Sequence, residues 1–203
     1  MAKMKRIEKT QEKIIQAALE LFVRKGYHGT SINNIMRKVG LTKAAYYAHF
    51  TSKGELFLRI ISEYKSQYTN ELIRTGNECQ GNALEKFHRI ISFSARFALE
   101  NQHLCMFLNY ITTELKADVD FEPVLRSLYK DFHKFITALI KQGIRQGIFR
   151  KNHDPEVAAY IFMALHDGVL HQWALHRNYM DGVQYIRSFR EIFLKGLVDQ
   201  SSY

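Results

Sequence analysis

Apolar residues recur every three or four positions along almost the whole chain, which is the spacing of amphipathic helices. The first stripe predicts a helix over about residues 7–25 and consists of Ile14, Ala18, Leu21 and Phe22. Gly26 follows this stripe and suits the left-handed conformation that often ends a helix. Strict alternation of apolar and polar residues is nowhere strong enough to predict a strand. The pattern therefore predicts an all-α fold.

Two short helices are predicted after the first one. Thr30 or Ser31 offers a side-chain oxygen that can cap the first of them. Residues 39–41, with a central glycine, form a turn, and Thr42 caps a very short helix that continues to about His49. Two short helices joined by a glycine-containing turn of three residues have the geometry of a helix-turn-helix.

A long fourth helix is predicted over about residues 52–76, opened by the capping box Ser52-Lys53-Gly54-Glu55. Further amphipathic helices are predicted at about 83–100, 104–116, 122–147, 155–176 and 182–199. No Pro-, Gly- or Ser-rich linker interrupts them. We therefore expect an N-terminal domain of residues 1–52 and a C-terminal helical domain of residues 53–203, with the long helix joining the two.

Positive charge is concentrated at the N-terminal end. The chain has 203 residues and a net charge of +9, and residues 1–60 hold 12 Lys+Arg against 4 Asp+Glu. Such a basic segment favours a polyanionic partner, either nucleic acid or an anionic membrane. A hydrophobic content of 46% and two cysteines argue against a disordered chain and a disulfide scaffold. With no apolar signal segment or bilayer-long apolar run, we expect a soluble cytoplasmic protein.

The helix after the turn carries residues suited to a DNA groove. In a helix-turn-helix, the N-terminal part of this helix meets base edges in the major groove. Lys43 can donate to guanine O6 and N7, and Ala44 permits close approach to a thymine methyl group. Hydroxyl, amine and ring groups around the helix are candidates for phosphate contacts: Thr30, Thr42, Tyr47, His49 and Lys53. The alternative is a helix pair packed inside a bundle with Lys43 merely solvated.

Residues 26–57, GYHGTSINNIMRKVGLTKAAYYAHFTSKGELF, resemble the DNA-binding signature of the TetR family of bacterial transcription regulators. The resemblance extends over about residues 10–60. The remainder is similar to the family in length, in helix order and in the glycine-containing segment before Asp154-Pro155. Two positions depart from the family pattern, because Tyr46 replaces an aliphatic residue or Phe and Gly54 replaces a good helix former.

The resemblance implies a homodimer that binds a palindromic DNA operator, a C-terminal domain that binds a small-molecule effector, and repression as the usual mode. It implies no catalytic residue, cofactor or metal. By position, Lys43, Ala44 and Tyr47 are expected to lie next to the bases. The full expected DNA-binding set is Thr30, Ser31, Thr42, Lys43, Ala44, Tyr46, Tyr47, His49 and Lys53.

The C-terminal domain is expected to hold the effector and the dimer interface. Mixed methionine and aromatic side chains suit an apolar or flat cationic effector, and the candidate lining is Phe93, Phe97, Met106, Tyr110, Phe132, Met163 and His166. Stripes on the last two helices are the candidate dimer interface: Ala164, Gly168, Gln172, Tyr185, Phe189, Phe193 and Gly196.

Two other functions compete with this interpretation. A helical enzyme could use His166-Asp167, His171 and His176, but a five-residue spacing places successive histidines about 140° apart around a helix. No HExxH, CxxC, GxSxG or GxGxxG motif accompanies them. A non-specific basic DNA-binding protein would instead ignore DNA sequence and lose affinity steeply with salt.

Overall fold

The computed structural model describes residues 2–113, 122–176, 178–179 and 181–198. These residues form ten α-helices and one π-helical turn, and their β-structure is limited to a bridge between Phe149 and Val198. The helices are α1 (Ala2–Lys25), α2 (Ile32–Val39), α3 (Lys43–Tyr47), α4 (Lys53–Tyr64), α5 (Glu71–Glu78), α6 (Ala83–Glu100), α7 (Gln102–Thr113), α8 (Glu122–Arg145), α9 (Pro155–His176) and α10 (Gly182–Leu197). The all-α prediction is confirmed.

The predicted fourth helix is a regular α-helix only in part. Between α4 and α5 the backbone widens into a π-helical turn over Lys65–Asn70, which carries the buried residues Tyr68 and Thr69. The apolar spacing continues unbroken through this turn, so it predicts the long helix but does not indicate the turn within it. Two other predicted segments, 104–116 and 182–199, end in residues outside the described part of the chain.

The chain divides into two compact units, and the division differs from the expected one after residue 52. The first unit comprises Met1–Tyr64 with His103–Glu122, and the second comprises Lys65–Gln102 with Pro123–Tyr203. The first unit extends beyond residue 52 because α4 buries its apolar side chains there, among them Leu56 and Ile60.

Aromatic side chains join α1, α4 and α7 in the core of the first unit. The ring of Phe57 lies 5.4 Å from that of Phe22 and 5.0 Å from that of Phe107. The Phe57 ring meets both of the others in near-edge-on geometry, which aromatic pairs favour over face-to-face stacking. These contacts attach α7 to the N-terminal helices, although it lies about 40 residues further along the chain than α4.

The second unit is built around another aromatic cluster. Phe87 of α6 contacts the rings of Phe149, Phe162 and Phe193, and all four side chains are buried. Gly143 of α8 is required here because the ring of Phe149 occupies the space that a side chain would fill. None of the described helices is both long and apolar enough to cross a lipid bilayer.

Candidate functional site

Capping interactions fix where α2 begins and ends and where α3 begins. The Asn34 N–H donates to Ser31 Oγ at 3.1 Å, and Asn34 Oδ1 in turn accepts the Ser31 N–H at 3.1 Å. Gly40 ends α2 with φ of +69°, a conformation that glycine adopts without strain. Thr42 Oγ1 then accepts the Ala45 N–H at 3.3 Å and begins α3. Of the two predicted caps for α2, Ser31 serves and Thr30 does not.

The outer face of α3 presents the residues expected next to the bases. Lys43 and Ala44 are exposed, and Tyr47 is 50% exposed. The Lys43 ammonium lies 5.9 Å from the centre of the Tyr47 ring. This surface combines a cation, a small side chain and a phenol, a set that can contact base edges and phosphates. Exposed Thr42 and half-buried His49 flank it.

Two predicted DNA contacts are instead part of the core. Thr30 is 1% exposed, and its hydroxyl donates to the Gly26 carbonyl at 2.8 Å. Tyr46 is fully buried, and its hydroxyl donates to the Ser52 carbonyl at 2.9 Å. Burial, with a smaller contribution from Glu55, raises the pKa of Tyr46 well above its usual range. Neither hydroxyl is placed to reach DNA, so both assignments were wrong.

Lys53, for which a phosphate contact is predicted, forms hydrogen bonds within the protein. Its ammonium donates to the Tyr27 carbonyl at 2.7 Å and to the Thr30 carbonyl at 3.0 Å. It also lies 4.0 Å from the centre of the Tyr27 ring. Lys53 therefore connects the start of α4 to the loop after α1.

Two exposed residues beside the turn were not among the predicted DNA contacts. Arg37, in the last turn of α2, is exposed, and Leu41 directly follows Gly40 with 38% of its surface exposed. Arg37 was counted only in the net charge. Its position three residues before the turn glycine is the sequence feature that could have identified it as a candidate DNA contact.

Five of the seven predicted effector residues lie in the second unit: Phe93, Phe97, Phe132, Met163 and His166. The rings of Phe93 and Phe97 contact the ring of Tyr68, and the ring of Phe132 contacts that of His166. Met106 and Tyr110 lie in the first unit instead. The Tyr110 hydroxyl accepts the Tyr27 N–H at 2.7 Å.

A buried polar chain runs through this aromatic cluster. The Tyr68 hydroxyl lies 2.6 Å from His166 Nε2 and 2.9 Å from Ser94 Oγ. His166 Nδ1 lies 3.4 Å from a carboxylate oxygen of Asp167, and Tyr129 donates to the other oxygen at 3.0 Å. Burial and the Asp167 carboxylate raise the pKa of Tyr129. Polar residues within apolar helical stripes were the signal that could have identified Tyr68, Ser94 and Tyr129.

The histidines of the enzyme alternative are separated. His166 is buried, whereas His171 and His176 are exposed. Among the described residues, no group of three or more His, Cys, Asp or Glu side chains could hold a metal ion.

An exposed apolar face runs along α9, and we call it the α9 face: Val157, Tyr160, Ile161, Ala164, Leu165, Gly168, Gln172 and Leu175. It includes the three residues predicted on this helix. On α10, Gly196 is exposed, but Phe189 and Phe193 are buried and Tyr185 is half-buried. Phe189 and Phe193 pack on Phe162 within the second unit, so they belong to the protomer core and not to an interface.

A cleft of about 520 Å³ lies between α6, α9 and α10 in the second unit. We call it the α6/α10 cleft; its walls include Ala95, Leu170 and Ile186, and two arginines, Arg187 and Arg190, line it as well. Its volume falls within the range of small-molecule sites. None of the residues predicted for the effector is among those that line it.

Both the N-terminal and the C-terminal part of the chain match families of known proteins. Residues 14–60 match the family described as bacterial regulatory proteins, tetR family, and residues 80–197 match the tetracyclin repressor-like C-terminal domain. The fatty acid metabolism regulator protein of Bacillus subtilis is 20% identical over 91% of this chain and 93% of its own length. The regulator TtgR of Pseudomonas putida is 24% identical over 86% of this chain and 84% of its own.

Solved structures show the same architecture. The MbdR regulator of Azoarcus sp. CIB superposes with a TM-score of 0.83 at 27% identity, covering 93% of this chain and 98% of its own. FadR from Bacillus subtilis, solved with stearoyl-CoA, has a TM-score of 0.77 at 20% identity, covering 91% of this chain and 98% of its own. The matched domains together span the capped helix-turn-helix and most of the second unit. The chain therefore belongs to the TetR family of ligand-responsive, DNA-binding transcription regulators.

Proposed function

We propose that this protein is a repressor that binds a palindromic operator in the cytoplasm as a homodimer and is released from it by a small molecule. The observation that carries the proposal is the exposed α3 surface of Lys43, Ala44 and Tyr47, mounted on a capped helix-turn-helix. Residues of this kind read base edges in the major groove, whereas a purely electrostatic binder needs only charge.

The proposal includes the dimer because operator symmetry mirrors protein symmetry. The α9 face offers a surface for the second copy, with Tyr160 63% and Ile161 51% exposed. A contiguous apolar stripe of this kind is typical of an interaction site. Ala164 and Gly168 would let a partner helix approach closely.

The effector belongs to the second unit in this proposal. FadR, which shares the fold, has been solved with stearoyl-CoA. By linkage, a molecule that binds the DNA-free arrangement more tightly must weaken operator binding by the same factor.

Selection of fragments from a genomic DNA library tests the proposal. The full chain is incubated with the library at about 150 mM salt and again at low salt, and bound fragments are sequenced. We expect one palindromic sequence to be enriched at the higher salt. Tight low-salt binding with no enriched sequence would instead identify a non-specific basic binder and contradict the proposal.

A further inference from the structure

The walls of the α6/α10 cleft are mostly apolar. Ala95 and Ala98 come from α6, Leu170 and Trp173 from α9, and Ile186 from α10. Removing apolar ligand surface from water is the main favourable contribution that such walls can make to binding. The cleft volume of about 520 Å³ is sufficient for an alkyl chain or an aromatic ring.

The charges of the cleft are not balanced. Arg187 and Arg190 both line it, and among the described residues neither guanidinium forms an ion pair. The carboxylate of the cleft, Asp181, accepts the Val183 N–H at 2.9 Å and the Gln184 N–H at 3.3 Å. It caps α10 and keeps its negative charge, so the cleft lining carries two positive charges against one negative charge.

A second cavity of about 470 Å³ shares Arg190 and is also lined by His88, Lys195 and Glu191. The Glu191 carboxylate lies 3.9 Å from the Lys195 ammonium. Burial and the neighbouring Arg190 lower the pKa of His88. Both arginines thus stand next to apolar walls and outnumber the one carboxylate of the cleft. A further carboxylate could accept hydrogen bonds from a guanidinium in bidentate fashion.

We propose that the α6/α10 cleft binds an amphiphilic carboxylate, with its alkyl or aryl part against Ala95, Leu170 and Ile186 and its carboxylate on Arg187 and Arg190. The proposal rests on the proposed function, in which the second unit holds the effector, and it names the chemical class. Of the expected effectors, apolar or flat cationic, it keeps the apolar part and excludes the cation, because two guanidinium groups outnumber the single carboxylate of the cleft.

Isothermal titration calorimetry of the full chain with decanoate tests the proposal. We expect decanoate to bind, and the Arg187→Gln/Arg190→Gln variant to bind it at least tenfold more weakly, since a hydrogen bond to a charged group is worth about that factor. Arg89→Gln is the matched control because Arg89 is exposed on α6 but does not line the cleft; it should bind like the wild type. Decyltrimethylammonium, a cation with the same chain length, should not bind.

A second variant tests the apolar wall without changing charge. Ala95→Phe should occupy part of the apolar wall and weaken decanoate binding at least tenfold while leaving thermal unfolding and operator binding unchanged. Equal binding of decanoate by the wild type and the arginine variant would overturn the proposal. Tighter binding of the cation than of decanoate would also overturn it. A change in the oligomeric state of the arginine variant with decanoate binding intact would overturn it as well, because it would assign the cleft to contacts with a second copy of the chain. Operator binding by the ligand-free protein tests the proposed function separately.

Discussion

At the scale of single residues, chemically similar side chains of the first unit have different environments. Lys43 is exposed on α3, whereas the Lys53 ammonium is held by two backbone carbonyls. Tyr47 is half exposed, and its neighbour Tyr46 is fully buried. Residue type therefore does not decide which side chains can meet DNA; orientation around a short helix does.

Replacement of Lys53 by Met should destabilise the protein. The change keeps most of the side-chain volume but removes the hydrogen bonds to the Tyr27 and Thr30 carbonyls, which should lower the free energy of unfolding by about 1–2 kcal/mol. Urea unfolding measures the difference. Lys13→Met is the control because Lys13 is exposed on α1. Equal stability of the two variants would show that the Lys53 contacts contribute nothing.

The two cysteines should differ in reactivity. Cys105 is buried, and burial raises the pKa of its thiol to about 12, whereas Cys79 is partly exposed. Since the thiolate is the reactive form, a disulfide reagent at about pH 8 should modify Cys79 in the native protein and Cys105 only after unfolding. The Cys79→Ser variant isolates the second thiol; rapid native labelling of this variant would be the opposite of what we expect.

At the scale of elements, the helix α7 belongs with the N-terminal helices. Its Phe107 contacts Phe57, and its Tyr110 hydroxyl accepts the Tyr27 N–H. The first unit therefore depends on a segment that lies far from it in sequence.

Phe107→Ala should lower the free energy of unfolding by about 3–5 kcal/mol, because it removes a fully buried ring between Phe22 and Phe57. Thermal or urea unfolding of the full chain gives the value. Ile7→Ala, at an exposed apolar residue of α1, is the control and should change little. A loss below about 1 kcal/mol for Phe107→Ala would mean that α7 is not part of this core.

Much of the helical structure could be predicted from the sequence, and the reasons for the exceptions are physical. The predicted bounds 83–100 and 155–176 match α6 and α9, because Asn82 and Asp154-Pro155 are clear start signals. The π-helical turn at Lys65–Asn70 could not be predicted, since the 3.6-residue spacing continues through it. An amphipathic stripe also does not specify which helix it packs against, so the contacts of α7 with α1 and α4 could be found only from the tertiary structure.

The candidate site was likewise predictable from the sequence only in part. The turn and the exposed residues of α3 were predictable because capping and glycine geometry act locally. Thr30 and Tyr46 were misassigned because their burial depends on α1 and α4. The arginines of the α6/α10 cleft could not be found, since Ala95 and Arg190 meet only through packing of distant helices.

At the scale of the whole molecule, a charge on the α9 face should oppose pairing of two copies. Ile161→Glu should shift the proposed dimer toward monomer and weaken operator binding, because a carboxylate would be buried without a partner. Analytical ultracentrifugation measures the oligomeric state. Val124→Glu, the same charge at an exposed apolar residue of α8, is the control. A wild-type oligomeric state in Ile161→Glu would remove this face from the proposed interface.

The central claim is that α3 reads DNA sequence, and the specificity ratio of Lys43→Ala tests it most directly. Dissociation constants for the selected operator and for a scrambled duplex would be measured at about 150 mM salt. Lys134→Ala is the control because Lys134 is an exposed lysine of the second unit. We expect Lys43→Ala to reduce discrimination by about tenfold to a hundredfold, the value of one base contact, and Lys134→Ala to preserve it. If Lys43→Ala weakens both duplexes equally, the residue contributes only charge and the account is contradicted.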